Sequence, residues 1–264
     1  MDYKISILTS IFNGKDFIRG FLEDITRQTI FDQCQLIMVD ANSSEYLETE
    51  KCIFEYTKKY KNIEYHKIVN EDGFIPNVYT VWNLIIKDYA KAELLSNANI
   101  DDRKHPRHLE LHLKTLEENP SASLAYASVL ETSVPNETFE NNTANIIMEM
   151  PEFTLDHLLR VNMPHNNPVW RADLHLQYGF FNDDYFSAGD YEMWLRAAIE
   201  GEEFIKICNE PLSLYYRNPK GISSNKKTLH KAIAEVRSVI EKYILLYKQK
   251  KSRVGKIGLG NYKL

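Results

Sequence analysis

The stretch Gln35-Leu36-Ile37-Met38-Val39-Asp40-Ala41-Asn42-Ser43-Ser44 is an apolar run that stops at a carboxylate and a polar turn. It reads as a short strand. Upstream, Lys4–Ile11 is a second apolar strand, stopped by Asn13-Gly14, and over residues 15–30 Phe17, Ile18, Phe21, Leu22 and Ile25 recur at helical spacing. Downstream, the pattern predicts a helix over Tyr46–Tyr60 and a strand over Ile63–Ile68. A further helix follows, opened by Pro76, whose missing N–H is not needed in a first turn; it runs to about Tyr89, and Glu93–Ala98 reads as a fourth strand. Strands alternating with helices indicate βαβ units, so the expected class is α/β with a mainly parallel central sheet flanked by helices. In such sheets ligands bind beyond the carboxyl ends of the strands. Asp40 and the cluster Asn99–Asp102 both fall at such ends.

The regularity weakens after Pro120. Leu124–Leu130 is a candidate strand, Pro135–Met150 reads as an irregular Asn-rich loop, and a helix is predicted from about Lys226 to Lys250, followed by a flexible end with Gly255, Gly258 and Gly260. A chain of 264 residues allows one large domain or two small ones. Without an internal repeat or low-complexity linker, the change near residue 120 separates two halves of one fold. The expected layout is a catalytic domain over 1–225, with halves 1–120 and 121–225, and a C-terminal helix and basic tail over 226–264.

Hydrophobic residues at 44% and charged residues at 26% are a globular, soluble balance, and a net charge of -5 excludes a chain built to coat nucleic acid. Cys34, Cys52 and Cys208 are odd in number and widely spaced, which predicts reduced thiols and a cytoplasmic setting. The first residues lack a leader pattern, and no window reaches the roughly 20 apolar residues that span a bilayer.

Three groups can carry chemistry. Asn97-Ala98-Asn99-Ile100-Asp101-Asp102 puts two carboxylates beside two amides at a strand end, an oxygen-rich set suited to Mg²⁺ or Mn²⁺. Such an ion can neutralise charge on a leaving nucleotide. The same residues would also cap a helix starting near Pro106. Asp40 can accept from an imide N–H such as that of uracil, or from ribose, or merely close an Asx turn. In Ser187-Ala188-Gly189-Asp190-Tyr191-Glu192-Met193-Trp194-Leu195-Arg196, Asp190 begins a helix, where a carboxylate is stabilised as the anion and can take a proton, or simply act as a cap.

Taken in order, these groups resemble the family 2 glycosyltransferases of the GT-A fold. Members read like S-I-x-x-P-x-Y-N, V-D-D-G-S-x-D, D-x-D-D…P and E-D-x-x-x-W-x-R. Here the corresponding stretches are Ser6–Asn13, Val39–Glu45, Asn99–Asp102 with Pro106, and Gly189–Arg196. The resemblance covers about residues 4–217 and implies an inverting transferase that moves a sugar, of hexosyl or N-acetylhexosaminyl type, from a nucleotide-sugar to an acceptor hydroxyl. The donor implied is a UDP-sugar and the cofactor Mn²⁺ or Mg²⁺. It places Thr9, Ser10 and Phe12 at the base and ribose, Asp40 on the base, Asn99 on the ribose, Asp101 and Asp102 at the metal, and Asp190 as general base. Asn83 and the Glu71–Phe74 loop fall where the family approaches the donor. Three departures stand out: Ala41 for the second acid of V-D-D, Asn99 for the first acid of D-x-D, and Gly189 for the glutamate before the base. The last two also fit a non-catalytic nucleotide- or carbohydrate-binding module. A dinucleotide-dependent oxidoreductase is rejected, because Thr9–Gly14 offers no glycine fingerprint.

Weaker candidates remain. His165, in the proline-bounded Met163–Pro168, reads first as a structural histidine. Arg217 would assist a diphosphate or pair with a surface acid. Trp82, Trp170 and Trp194 read as core. In the terminal helix Ile233, Val236, Ile240, Ile244 and Leu245 share one face, widened by Val239, Tyr243 and Tyr247. Lys242, Lys248, Lys250, Lys251, Arg253, Lys256 and Lys263 follow the last acid, Glu241. Two readings stand: a helix docked on the catalytic domain, or a basic end that meets anionic lipid and brings the enzyme to a lipid-linked acceptor.

Overall fold

The computed structural model describes residues 2–258 apart from Glu45 and Glu71, and only the backbone of 253–258. The first half runs β1 (Ile5–Ile11), α1 (Ile18–Ile25), a 3-10 turn (Phe31–Gln33), β2 (Cys34–Ala41), α2 (Tyr46–Lys59), β3 (Ile63–Ile68), α3 (Val78–Asp88) and β4 (Leu94–Asn97). The second half runs β5 (Arg103–Lys104), α4 (His108–Glu118), β6 (Ala122–Thr132), β7 (Ile146–Met148), α5 (Leu155–Leu158), β8 (Val169–Arg171), α6 (Asp173–Tyr178), α7 (Gly189–Ile199), β9 (Glu203–Tyr216) and α8 (Leu229–Gly258).

All eight residues of β2 are buried, because helices cover the sheet on both faces. The sheet order is β3-β2-β1-β4-β8-β6-β9-β5, with β7 added to β6. The first four strands are parallel. β8 then enters antiparallel to both β4 and β6, while β6 and β9 run parallel with register shifts. Alternation of side chains along the strands makes two cores. Ile5, Ile7, Ile11 and Met38 pack with Phe21, Ile53 and Leu109 on one face. Leu8, Ile37, Val39 and Leu95 pack with Val81, Ile85 and the three tryptophans on the other.

The structure moves several predicted boundaries. Pro76 precedes α3 instead of opening it: Asn77 is the cap, its Oδ1 accepting from Thr80 N at 2.9 Å. The loop predicted over Pro135–Met150 contains β7, which pairs with Val129–Glu131. α8 starts at Leu229 and continues to Gly258, so Gly255 and Gly258 are helical; Gly260 and Lys263, and the side chains of Arg253 and Lys256, lie outside the described residues.

The helix docks on the second core through buried Val239 and Tyr243, with Val236, Ile240, Ile244 and Tyr247 beside them. Ile233 and Leu245, expected on that face, are 52% and 58% exposed because they point away from the contact. Lys242 pairs with Glu192 at 3.2 Å and Lys250 with Glu200 at 2.6 Å, so part of the basic end is spent on docking. Among the described residues no helix is long and apolar enough to cross a membrane, and the three cysteines are unpaired.

Candidate functional site

Near the ends of the parallel strands are buried polar atoms without partners. β1 leads into exposed Phe12, then Asn13 at φ 50° and Gly14, where an added Cβ would lie 2.7 Å from the Ile100 side chain. Asn42 at φ 62° turns the chain after β2, and Asp40 Oδ1 accepts from Ser43 N at 2.7 Å. Ser43 Oγ in turn accepts from Asn13 N at 2.9 Å, locking the two strand ends together. Asp40 Oδ2, Thr9 Oγ1 and the Tyr65 hydroxyl are buried and have no partner. Register puts them on one face, since Thr9, Met38 and Tyr65 form one row and Ile11 and Asp40 the next on that side. Each such group costs about 1–3 kcal/mol, and groups of this kind are rare unless a ligand or water completes them. The Asn42 amide also donates to the carbonyls of Asn70 and Phe74, drawing that loop over the end of β2. Glu71, at the start of the loop expected near the donor, lies outside the described residues.

Beyond β4, the acidic pair divides into two unlike carboxylates. Asp102 is buried and fully engaged: Oδ2 accepts from Asn99 (3.1 Å) and Asn166 (3.0 Å), and Oδ1 from Tyr216 N (3.0 Å). Burial raises its pKa, and these donors oppose the rise. Asp101 is half-buried and accepts from Asn218 at 2.9 Å. Burial, and then the charge of Asp102, push it up to about 6. Mutual repulsion of this kind is what a divalent ion relieves. Mg²⁺-type sites need only one or two carboxylates when substrate phosphates supply other ligands, so Asp101 fits such an ion. Among the described residues no group of three or more His, Cys, Asp or Glu could hold one without a substrate.

Asp190 stands in the first turn of α7. The Tyr79 hydroxyl donates to its Oδ1 and the Asn162 amide to its Oδ2, both at 3.1 Å. Burial raises its pKa; the Tyr191 N–H, Asn162, Tyr79 and nearby His165 pull it back. Gly189 is required by this packing, because a Cβ there would lie 2.8 Å from the Asn182 carbonyl and 2.9 Å from the Tyr79 ring. The departure at 189 therefore seats Tyr79 against the acid. Asn166 braces the acidic segment: its carbonyl accepts from buried Lys104, whose pKa burial lowers to about 8, while its amide holds Asp102.

No family model matches the chain. Among curated proteins it is 24% identical over 227 residues to protein CgeD of Bacillus subtilis (strain 168), covering 83% of this chain and 51% of that one. It is similar in structure to S. aureus TarS 1-349, with a TM-score of 0.71 to the UDP-GlcNAc complex (16% identity) and 0.69 to the UDP complex (17%). These alignments cover 92% of this chain, and 66% and 65% of TarS 1-349. The mannosyltransferase PcManGT from Pyrobaculum calidifontis, in complex with GDP-Man and Mn2+, gives 0.64 at 13% identity over 89% of this chain and 63% of that one. The fold is the GT-A glycosyltransferase fold. The chain spans about half the length of its curated relative and under two thirds of these structures.

Within this GT-A fold, Thr9 and Asp40 lie on one face of the sheet at the ends of β1 and β2, Asn99, Asp101 and Asp102 follow β4, and Asp190 stands in the first turn of α7. Ser10 is half-buried and Phe12 exposed. Asn83 is occupied elsewhere. Its amide donates to Phe181 O (2.8 Å) and its Oδ1 accepts from Phe181 N (3.0 Å), so both polar groups are consumed in tying α3 to the chain before α7. Arg217 forms a two-pronged pair with buried Glu131, both contacts at 2.8 Å. His165, at φ 45°, packs edge-on to Tyr215 with its pKa lowered by burial, and Trp82, Trp170 and Trp194 are core. Tyr79, Asn162, Asn166 and Tyr65 have no sequence signal of their own, because each matters only through a neighbour remote in sequence.

Proposed function

We propose that this chain is a glycosyltransferase that moves a sugar from a nucleoside-diphosphate sugar to an acceptor hydroxyl with inversion. The observation that carries it is the set of unpartnered buried polar atoms near the strand ends, Asp40 Oδ2 above all, together with the held carboxylate of Asp190 in a GT-A fold. Asp40 Oδ2 accepts the imide N–H of a base such as uracil, Thr9 and Ser10 meet the base and ribose, and Phe12 packs near the base. Asn99 faces the ribose with the carbonyl oxygen its bond to Asp102 leaves over. Asp101 would hold Mn²⁺ or Mg²⁺, with Asp102 fixing the loop beneath it; such an ion, when bound, supplies neutralising charge to the diphosphate. The acceptor oxygen attacks the anomeric carbon as the bond to the diphosphate breaks, and its proton passes to Asp190. A UDP-sugar of hexosyl or N-acetylhexosaminyl type is the donor in this reading, with catalytic residues within 1–225 and a cytoplasmic setting suited to three unpaired thiols.

A thermal-shift screen of nucleotide-sugars with and without Mn²⁺ tests it, since ligands that bind the native state raise apparent stability. The best UDP-sugar should give the largest shift, and Asp101→Ala should abolish the Mn²⁺-dependent part. A shift in that variant equal to the parent's would remove Asp101 from the site. The Asn99 amide, bound to Asp102 where the family has an acid, favours the second reading, a binding module. Binding without any Mn²⁺-dependent turnover would select it.

A further inference from the structure

Glu235 lies on α8, remote in sequence from every motif above, yet its carboxylate sits at the entrance to α7. Oε1 accepts from Phe186 N at 2.7 Å. Oε2 accepts from Ser187 N at 2.6 Å, Ala188 N at 2.8 Å and Ser187 Oγ at 3.1 Å. Consecutive backbone N–H groups converging on one anion form a nest. α7 has no side-chain cap of its own, since the residue before it is Ala188. Immediately after this nest come Gly189 and Asp190. In the resembling family an acid directly precedes the base; here that place is a glycine filled by Tyr79, and the acid at the same helix entrance comes from another helix.

We infer that Glu235 is a positioning residue for Asp190, which makes the C-terminal helix part of the active site. By holding 186–188 it fixes the backbone from which Asp190 reaches the acceptor, while Tyr79 and Asn162 fix the carboxylate itself. α8 does not need Glu235 to dock. Glu192 binds it separately through Lys242 (3.2 Å) and Tyr243 (2.6 Å), and Val239 and Tyr243 are buried in the core. The inference rests on Asp190 being the base.

The test measures UDP release from UDP-GlcNAc and UDP-glucose with Mn²⁺ in the full chain and four variants. A displacement of about 1 Å at a reacting group can cost 10²-fold, so Glu235→Ala should lose about 10- to 100-fold in kcat. Its donor KM should stay within about two-fold of the parent's, the pattern of a lost transition-state interaction. Amide exchange at Phe186–Ala188 should quicken, and Glu235→Gln, which keeps one acceptor oxygen, should recover part of the rate. Lys242→Ala, a docking contact on the same helix, should lower Tm while leaving kcat near the parent's. Parental kcat in folded Glu235→Ala overturns the inference, as does an equal kcat loss in Lys242→Ala. Loss in Asp190→Asn with none in Glu235→Ala leaves the base standing without Glu235. Full turnover in Asp190→Asn, or none in the parent, removes the function reading and this inference together.

Discussion

At the ends of β1 and β2, Asp40 keeps a buried oxygen with no partner, whereas at the head of α7 Asp190 has a donor on each oxygen. The strand ends thus give up stability of about 1–3 kcal/mol per orphaned group, recoverable when a ligand or water supplies the missing bond. The head of α7 does the reverse. Tyr79 and Asn162 hold Asp190 in one orientation before any substrate arrives, and burial raises its proton affinity. In the proposed reading this is the difference between a surface that waits for its partner and a base aimed in advance.

The largest expected effect lies at the aimed side. Asp190→Asn keeps the size, and its amide can still accept from Asn162 while donating to the Tyr79 oxygen. It cannot take a proton, so transfer should fall by about 10²-fold or more while donor binding persists. Turnover within a few-fold of the parent would reduce Asp190 to a helix cap. In the parent, the acid limb of kcat should lie above the ordinary carboxylate range, because burial raises this carboxyl.

A smaller effect is expected at the waiting side. Asp40→Asn can still close the turn to Ser43 but offers an amide N–H where an acceptor is needed. Donor affinity should fall by about 10- to 100-fold, the scale of a bond to a charged group, with kcat at saturation unchanged. Calorimetric titration with a UDP-sugar reads this directly, and an unaltered Kd would take Asp40 off the base.

Acid should also separate parent from variant at the buried histidines of α4. Burial lowers His112 to about 3 and His108 well below its usual value, so both stay neutral when folded and protonate on unfolding. Their contribution is complete above about pH 6.5 and declines as pH falls toward the folded value. Asp24 and Asp101, each raised to about 6, act oppositely below that pH, so the parent's net slope is shallow. His112→Asn should therefore gain on the parent by about 1.4 kcal/mol per pH unit below 6.5. Identical pH profiles of denaturant stability would show that His112 does not titrate on unfolding.

The smallest effect concerns the tail. Docking uses much of the apolar face of α8 and pairs Lys242 and Lys250, and Lys251 lies over the Tyr247 ring, leaving lysines such as Lys248 for any contact with anionic lipid. Each free lysine near such a surface contributes about 1 kcal/mol, so full-length protein should sediment with anionic liposomes only at low salt, and a version ending near Lys248 less so. Both remaining in the supernatant would leave α8 as a docked helix alone.

Much of the first half was legible because its signals are local. Apolar runs of strand length, helical spacing at Phe17–Ile25 and carboxylates placed just beyond strand ends are read within a few residues. Tyr46–Lys59 and Ile63–Ile68 accordingly fall within a residue of their predicted bounds. The second half was less legible. β8 joins β4 to β6 through three residues, and β7 hides in a polar stretch, since both are defined by pairing with distant strands.

From sequence alone came the alternation of strands and helices, the resemblance to the GT-A glycosyltransferases, and the choice of Asp40, Asp101, Asp102 and Asp190 as chemistry-bearing acids. The first follows from periodicity, the second from the order of four motif-like stretches, and the third from carboxylates placed at strand ends and a helix start. Only the tertiary structure decided that Asp102 and Asn83 are spent on internal bonds, that Gly189 makes room for Tyr79, and that Glu235 caps α7 from another helix. A hydrogen bond depends on where its second partner lies, and for these residues that partner is fixed by packing rather than by the neighbouring sequence.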